Sequence, residues 1–454
     1  MRRAVGIIGI TLAVSALSQA GQAQQADVDP RIAALISSIS EERLVSILKK
    51  LESFGTRNTL SSTDSPTHGI GAARQWIFDE LKGYSPQLQV SFDTYRIAKQ
   101  GRLLRDAEAR NVMAILPGRS PRRIYISGHY DTQAIEGGQE SVNAGRPRTV
   151  REPADPNAPH DTPAAGVNDD GSGTALAIEL ARVFGQSGID FDATLVFMCH
   201  VAEEQGLMGA KLHAQKASKE GVPIEAVLNN DIVGNDRGGN GIIDGATIRL
   251  YSEGPEDSPS RSLARFVQRW AARYVPSHKV RLMARQDRVG RGGDHSAYNQ
   301  YGFAAVGFRE SRENFARQHD PRDTFEGLSP GYLTRNARVN AAAAATLALA
   351  PPPPDVKNER RQPMIDRTPS GYDAHLRWNP SPGAVAYRIF SREAWGPDWQ
   401  HEWLLGNVTE VVLPNTLIDD NVFGVAAVDV LGHESLVSAF LETPTFPGDI
   451  KTVP

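Results

Sequence analysis

Cysteine is almost absent: Cys199 is the only one in 454 residues. An intrachain disulfide is therefore excluded, and so is a zinc site made of cysteine alone. Any metal would have to be held by His, Asp and Glu. A basic excess is also lacking, since 49 Lys and Arg face 53 Asp and Glu for a net charge of -4, which leaves nothing to offset a nucleic-acid backbone. Nor is there an apolar run of spanning length at the N-terminus: Ala4 to Leu17 falls short of the ~20 residues a membrane helix needs. That stretch follows Arg2 and Arg3 and precedes the small residues Gly21 and Ala23, the pattern of an export signal over residues 1–23. The mature chain is expected in the periplasm or the medium, without a membrane span.

What is present is the composition of a globular protein, 40% hydrophobic and 22% charged, at a length that favours two folded units. From Pro30 to about Ala350, apolar strands alternate with helices, the pattern of an α/β sheet with helices on both faces. Helices are predicted over Ala72–Leu81, Gly173–Phe184 and Leu333–Leu349, and strands over Arg123–Ser127, Ala193–Val201, Ile224–Val233 and Phe303–Phe308. The tetraproline Pro351–Pro354 cannot continue a helix and opens an expected spacer over 351–360. Beyond it, short β-prone runs at Ala374–Trp378, Ala386–Ser391, Val408–Leu413 and Val422–Asp429 predict a small all-β sandwich over 361–445. The run with Trp378 and Tyr387, and the stretch FGVAAVDVLGHES from Phe423, resemble a fibronectin type III domain.

Five segments put acids or histidines at or just after a predicted strand end, the edge where open α/β sheets bind ligands. They are Gly128-His129-Tyr130-Asp131, Asn168-Asp169-Asp170-Gly171, Ala202-Glu203-Glu204-Gln205-Gly206, Asn230-Asp231 and Gln318-His319-Asp320. Each alone reads as a turn or a solvated face; their joint occurrence in this order does not. Glu203 and Glu204 can both face one site only if the strand has ended there, because successive strand residues point opposite ways.

Taken together, with Gly206-Leu207-Met208-Gly209, Asp323-Thr324, Phe54-Gly55-Thr56-Arg57 and Arg110-Asn111-Val112, these segments resemble the co-catalytic dizinc exopeptidases. That family includes secreted bacterial aminopeptidases, glutamate carboxypeptidases and glutaminyl cyclases, and the resemblance covers residues 40 to 350. It implies a mixed, mostly parallel sheet flanked by helices and two Zn2+ ions per chain. It further implies that Asp169 bridges them, that His129 and Asp231 complete one set and Glu204 and His319 the other, that Glu203 is the general base, and that Asp131 holds the His129 ring. Three carboxylates and two neutral histidines would cancel three of four metal charges. The expected activity is hydrolysis of peptides at a chain end, as an aminopeptidase, with a carboxypeptidase, a glutaminyl cyclase-like enzyme and a non-catalytic binding protein as alternatives. Arg288, Arg291, Arg309, Arg312 and Arg317 crowd the approach to His319, which keeps a carboxylate pocket open. In one respect the chain departs from the family: where some secreted aminopeptidases have a tyrosine for the oxyanion, it has Gln318, with Tyr298 or Tyr301 as candidate substitutes.

Overall fold

The structure is a computed structural model that describes residues 28–150, 153, 155 and 158–441; the expected export signal lies outside them. The larger of two compact units is Asp29–Ala350. Its sheet comprises β1 (Gln89–Ile97), β2 (Ala107–Leu116), β3 (Ser120–His129), β4 (Ala193–His200), β5 (Ile224–Asn230), β6 (Thr247–Ser252), β7 (Lys279–Met283) and β8 (Ala305–Glu310). The order is β1-β2-β4-β3-β5-β8-β6-β7. The central strands β4, β3, β5 and β8 run parallel, and antiparallel pairs join β1 to β2, β2 to β4 and β6 to β8. The strand β4, ATLVFMCH, is buried throughout, as a strand covered on both faces must be.

The helices are α1 (Pro30–Ser37), α2 (Glu41–Glu52), α3 (Gly69–Lys82), α4 (Gly138–Asn143), α5 (Gly171–Gln186), α6 (Met208–Lys219), α7 (Pro259–Tyr274), α8 (Asp294–Asn299) and α9 (Pro330–Leu349). Their ends follow local chemistry. Ser40 accepts from the Arg43 N–H to cap α2, whose first turn holds Glu41 and Glu42 and whose last holds Lys49 and Lys50, charges that complement the helix dipole. Tyr125, Val196 and Met198 of the sheet pack with Ala210, Ala214 and Ala217 of α6 and Tyr298 of α8. Alternation along β3 leaves Ile124 and Ile126, both fully buried, for the opposite face. The small side chains of α9 are buried almost all round, which lets that helix lie close to its neighbours. Among the described residues no helix is long and apolar enough to cross a membrane.

Because the central strands are parallel, the C-terminal ends of β3, β4, β5 and β8 share one edge of the sheet. Gly173, at the start of α5, lets the helix approach that edge. A methyl there would stand 2.2 Å from the Asn230 carbonyl oxygen, and one at Gly128 would stand 2.5 Å from the Gly173 backbone. These contacts bring the residues after Gly128, before Gly173 and after Asn230 into one place.

The smaller unit begins at Pro351. One sheet has the order β13 (Glu410–Leu417), β10 (Asp373–Arg377), β9 (Ile365–Asp366); the other has β12 (His401–Leu405), β11 (Ala386–Glu393), β14 (Asn421–Val428), β15 (Ser438–Ala439). Ala374, Leu376 and Leu413 of one sheet share a core with Tyr387, Ile389 and Val425 of the other, capped by Trp378. The expected spacer at 351–360 differs from this arrangement. Val356 belongs to that core, the Met364 N–H donates to the Val356 carbonyl, and Asn379 donates to Asp355, so the segment is folded into the small unit.

Candidate active site

At the shared strand edge, β3 ends on His129, β4 ends on His200 just before Glu203 and Glu204, and β5 stops at Asn230 with Asp231 next. The sequence pattern extends this last strand to Val233. It stops sooner because Ile232 takes a left-handed backbone, φ 58°. Ala202 (φ 58°), Leu207 (φ 62°) and His319 (φ 53°) do the same. Ala202 breaks the strand alternation, so Glu203 and Glu204 both reach the site; the two neighbouring N–H groups donate to opposite oxygens of Asp131, at 3.1 and 3.2 Å.

Asp169 stands between two histidines. Its Oδ1 lies 3.4 Å from Nε2 of His129, and its Oδ2 lies 3.2 Å from Nε2 of His319. Asp231 Oδ1 is 3.8 Å from the His129 Nε2, and Glu204 Oε1 is 3.1 Å from the His319 Nε2. Both rings are fixed through their other nitrogen: Nδ1 of His129 donates to the Asp131 carbonyl at 3.0 Å, and Nδ1 of His319 lies 2.9 Å from Oε1 of Gln139. The Asp131 carboxylate is 3.6 Å from that His129 nitrogen, so the ring is held by the main chain of Asp131, and its carboxylate instead caps the Glu203–Glu204 turn and receives Thr59.

Each outer carboxylate has one oxygen taken by an arginine. Arg309 holds Asp231 Oδ2 at 2.6 Å, and Arg148 holds Glu204 Oε2 at 2.8 Å. The remaining atoms, His129 Nε2, Asp169 Oδ2, Glu204 Oε1 and Asp231 Oδ1, are buried without a hydrogen-bond partner. Buried polar atoms without partners are costly, and four converging from N and O donors fit a divalent ion such as zinc. By proximity the possible ligand groups are Asp169, Glu204 and His319, and His129, Asp170 and Asp231. In the second group both Asp170 oxygens already serve the scaffold: Oδ2 receives the His129 N–H and Oδ1 the Gly173 N–H. The Asp169–Asp170 peptide is cis.

Electrostatics point the same way. Burial disfavours the His129 cation, yet Asp131, Asp169 and Asp231 pull its pKa well above the usual histidine range. Asp169 would be raised by burial but is carried well below the carboxylate range by His319 and His129. The acids draw protons onto the histidines, and divalent cations would displace those protons. Burial pushes Glu203 up to about 7, with Glu204 adding to the rise against the pull of His129. Asp294, at the start of α8, has both oxygens buried without a partner, and burial with the nearby Glu203 charge pushes it well above its usual range.

These groups open into a cavity of about 470 Å³ lined by Asp169, Glu203, Glu204, Asp231, Gln139 and His319 and walled by cationic side chains. The sequence offers no pattern for Arg148 or Gln139; each arrives through a contact between distant segments. Gln318 is spent on structure, its Oε1 accepting from Arg291 at 2.6 Å and its Nε2 donating to Glu313 at 3.1 Å. Tyr298 is buried with its hydroxyl 3.2 Å from His200, and neither it nor the exposed Tyr301 lines the cavity.

Arg57 ties the loops beneath the site. Its guanidinium, wholly buried and with its pKa lowered by burial to about 10, donates to the carbonyls of Tyr130, Leu51, Ala165 and Gly166. Arg57→Met orphans these carbonyls, and a loss of about 3 kcal/mol or more is expected, read by urea unfolding. Glu313 joins the wall cations: burial alone would raise it, but Arg288, Arg291 and Arg249 hold it at about 2. A depressed carboxylate stabilises the fold fully above its unfolded value and less as pH falls towards 2. Glu313→Gln is expected to lose on the order of 3 kcal/mol at pH 7, a deficit that shrinks between pH 5 and 3 in the same assay.

The sequence profile of Peptidase family M28 matches residues 111–344. A probable zinc metalloprotease of Pyricularia oryzae is 34% identical over 94% of this chain and 86% of its own length. A probable zinc metalloprotease of Pyrenophora tritici-repentis is 33% identical over 90% of this chain and 86% of its own. Among solved structures, the Legionella pneumophila LapA aminopeptidase superposes with a TM-score of 0.52 at 18% identity, covering 72% of this chain and 76% of its own. The Porphyromonas gingivalis glutaminyl cyclase superposes at 0.51 and 18%, covering 67% and 97%. At these identities the superpositions speak for the α/β fold alone.

Proposed function

The chain belongs to peptidase family M28 and is a zinc metalloprotease, and on that premise we propose that it is an exported aminopeptidase working with two zinc ions. The observation that carries this reading is Asp169, with one oxygen toward each histidine at 3.4 and 3.2 Å. A carboxylate so placed suits a bridge. His129 and Asp231 would hold one ion, and Glu204 and His319 the other. Zinc, when bound, supplies Lewis-acid activation of a water molecule and of the scissile carbonyl.

The chain's own groups do the rest. Glu203, half-buried beside the ligands and raised towards neutrality, takes the proton of the attacking water and delivers it to the leaving amine. Asp131 fixes the Glu203–Glu204 turn from below. Arg148 and Arg309 each occupy one carboxylate oxygen, leaving the other for metal. The N-terminal export pattern and the appended small unit favour the aminopeptidase over the carboxypeptidase reading. The three- and four-stranded sheets of the small unit, with Trp378 over Tyr387 (centroids 5.4 Å apart), support the fibronectin type III reading. The Arg2-Arg3 and apolar N-terminal pattern supports export.

The test is a screen of chromogenic aminoacyl amides against N-acetylated dipeptides, with zinc measured in parallel. Cleavage of the free-amine substrates is expected with close to two zincs per chain, lost on chelation and restored by zinc. Turnover that survives exhaustive chelation would remove the metal mechanism, and cleavage confined to blocked peptides would remove the aminopeptidase assignment.

A further inference from the structure

The cavity that serves peptide cleavage in the reading above has walls of one sign. Arg102, Arg148, Lys211, Arg288 and Arg291 line it, and its carboxylates are Asp169, Glu203, Glu204 and Asp231. Those four acids are the proposed ligands and base. With metal charge balanced by them, the wall presents cations to an incoming substrate, three of them already paired: Arg148 with Glu204, Arg288 with Asp287 and Glu313, and Arg291 with Glu313.

The wall cations differ in what they have left to give. Arg288 is consumed: Nε goes to Asp287 at 2.9 Å, Nη1 to Glu313 at 3.1 Å and Nη2 to the Gly292 carbonyl at 3.2 Å. Arg309 lies beneath the site on Asp231 and Asp287, and Arg317 donates to the Arg322 carbonyl. Arg291 is held only by Nη1, which donates to Glu313 at 3.2 Å and to Gln318 at 2.6 Å. Its Nε and Nη2 make no hydrogen bond among the described residues, although the side chain is only 17% exposed. The anchor is firm, because Glu313 is itself gripped by Arg249 at 2.6 Å and by Arg288. Arg148 likewise spends Nη2 alone, on Gln133 and Glu204, and its Nε is buried without a partner. Arg102 and Lys211 stand exposed at the rim with no ion pair among the described residues.

A fixed guanidinium with a free Nε–Nη2 edge matches the two oxygens of a carboxylate, which an ammonium cannot do. We infer that this cavity binds a substrate carboxylate, with Arg291 as the anchor, so that the enzyme selects short peptides bearing an anionic group next to the scissile bond. The carboxylate is either the free C-terminus of a dipeptide or the side chain of an acidic residue. The inference rests on the proposed reading of the cavity as the cleavage site.

The experiment compares kcat/KM for acid and amide isosteres. Leu-Gly against Leu-Gly-amide reads the terminal carboxylate, and Leu-Asp-amide against Leu-Asn-amide reads the side chain. A site built to bond a charged group rejects the analogue that lacks it, so at least one pair should differ tenfold or more in favour of the acid. Arg291→Gln should bring that ratio below about threefold. Arg102→Gln and Lys211→Gln should each lower it less, and their share should vanish in high salt, since exposed charges are screened. Ratios within twofold in both wild-type pairs, or a preference that Arg291→Gln leaves intact, would overturn the inference. Should that variant fail to fold, the wild-type ratios together with the two rim variants decide. The same pairs in N-acetylated form separate the two readings: cleavage of blocked peptides only would end the aminopeptidase assignment, while their acid-to-amide ratio would still test Arg291.

Discussion

Glu203→Gln lowers kcat by about 10⁴-fold or more, at or beyond the upper end for general-base assistance, while zinc content stays near that of the parent. Glutamine keeps the size and can hydrogen-bond, but it cannot take a proton at neutral pH. Glu203 lines the cavity floor beside Glu204 and is not among the atoms that converge with the histidines. The deficit therefore falls on the transition state, and KM moves little. Glu204→Gln behaves differently. Its Oε1 faces the His319 Nε2 at 3.1 Å, so the variant should bind one zinc more weakly and regain part of its activity in excess metal. Zinc stoichiometry and kcat measured together on both variants decide the assignment. Metal lost from Glu203→Gln and kept by Glu204→Gln would exchange the two roles.

Asp169→Ala has the second large effect: both zincs are expected to be lost, with turnover below that of any other single ligand variant. The reason is geometric, since each of its oxygens approaches a different histidine. Asp231→Ala should be milder, because only one histidine, His129, faces it. Zinc titration by calorimetry checks this directly. An Asp169→Ala protein that still takes up one zinc with the parent's affinity would show that the carboxylate serves one ion rather than two.

The parts of this arrangement that were legible in the sequence are those written locally. Apolar runs such as ATLVFMCH and the alanine-rich Leu333–Leu349 mark a buried strand and a buried helix by composition alone, and the acids and histidines follow the strands in short, readable segments. That Glu203 and Glu204 lie past a strand end also follows from alternation, and Ala202 supplies the break. What was hidden depends on distant partners. Arg148 comes from a long polar loop with no periodicity, and only the folded chain brings it to Glu204, 56 residues on. The edge strand His401–Leu405 has too few buried side chains to announce itself. The spacer expected from four prolines overlooked Val356, one apolar residue whose burial needs the neighbouring sheet. Asp131 shows the finest limit: the residue belongs to the site, but which of its oxygens meets His129 is a matter of a few tenths of an ångström.

The backbone at Ala202, Leu207, Ile232 and His319 is left-handed, a conformation that disfavours side chains bearing a Cβ by roughly 1–2 kcal/mol per residue. Branched Ile232 suffers most. The rim that aims the ligands thus works against the folding of the chain that carries it, and the packed sheet below must hold it in place. Glycine at Ala202 or Leu207 would relax the bend and leave the side chains beside it less tightly aimed.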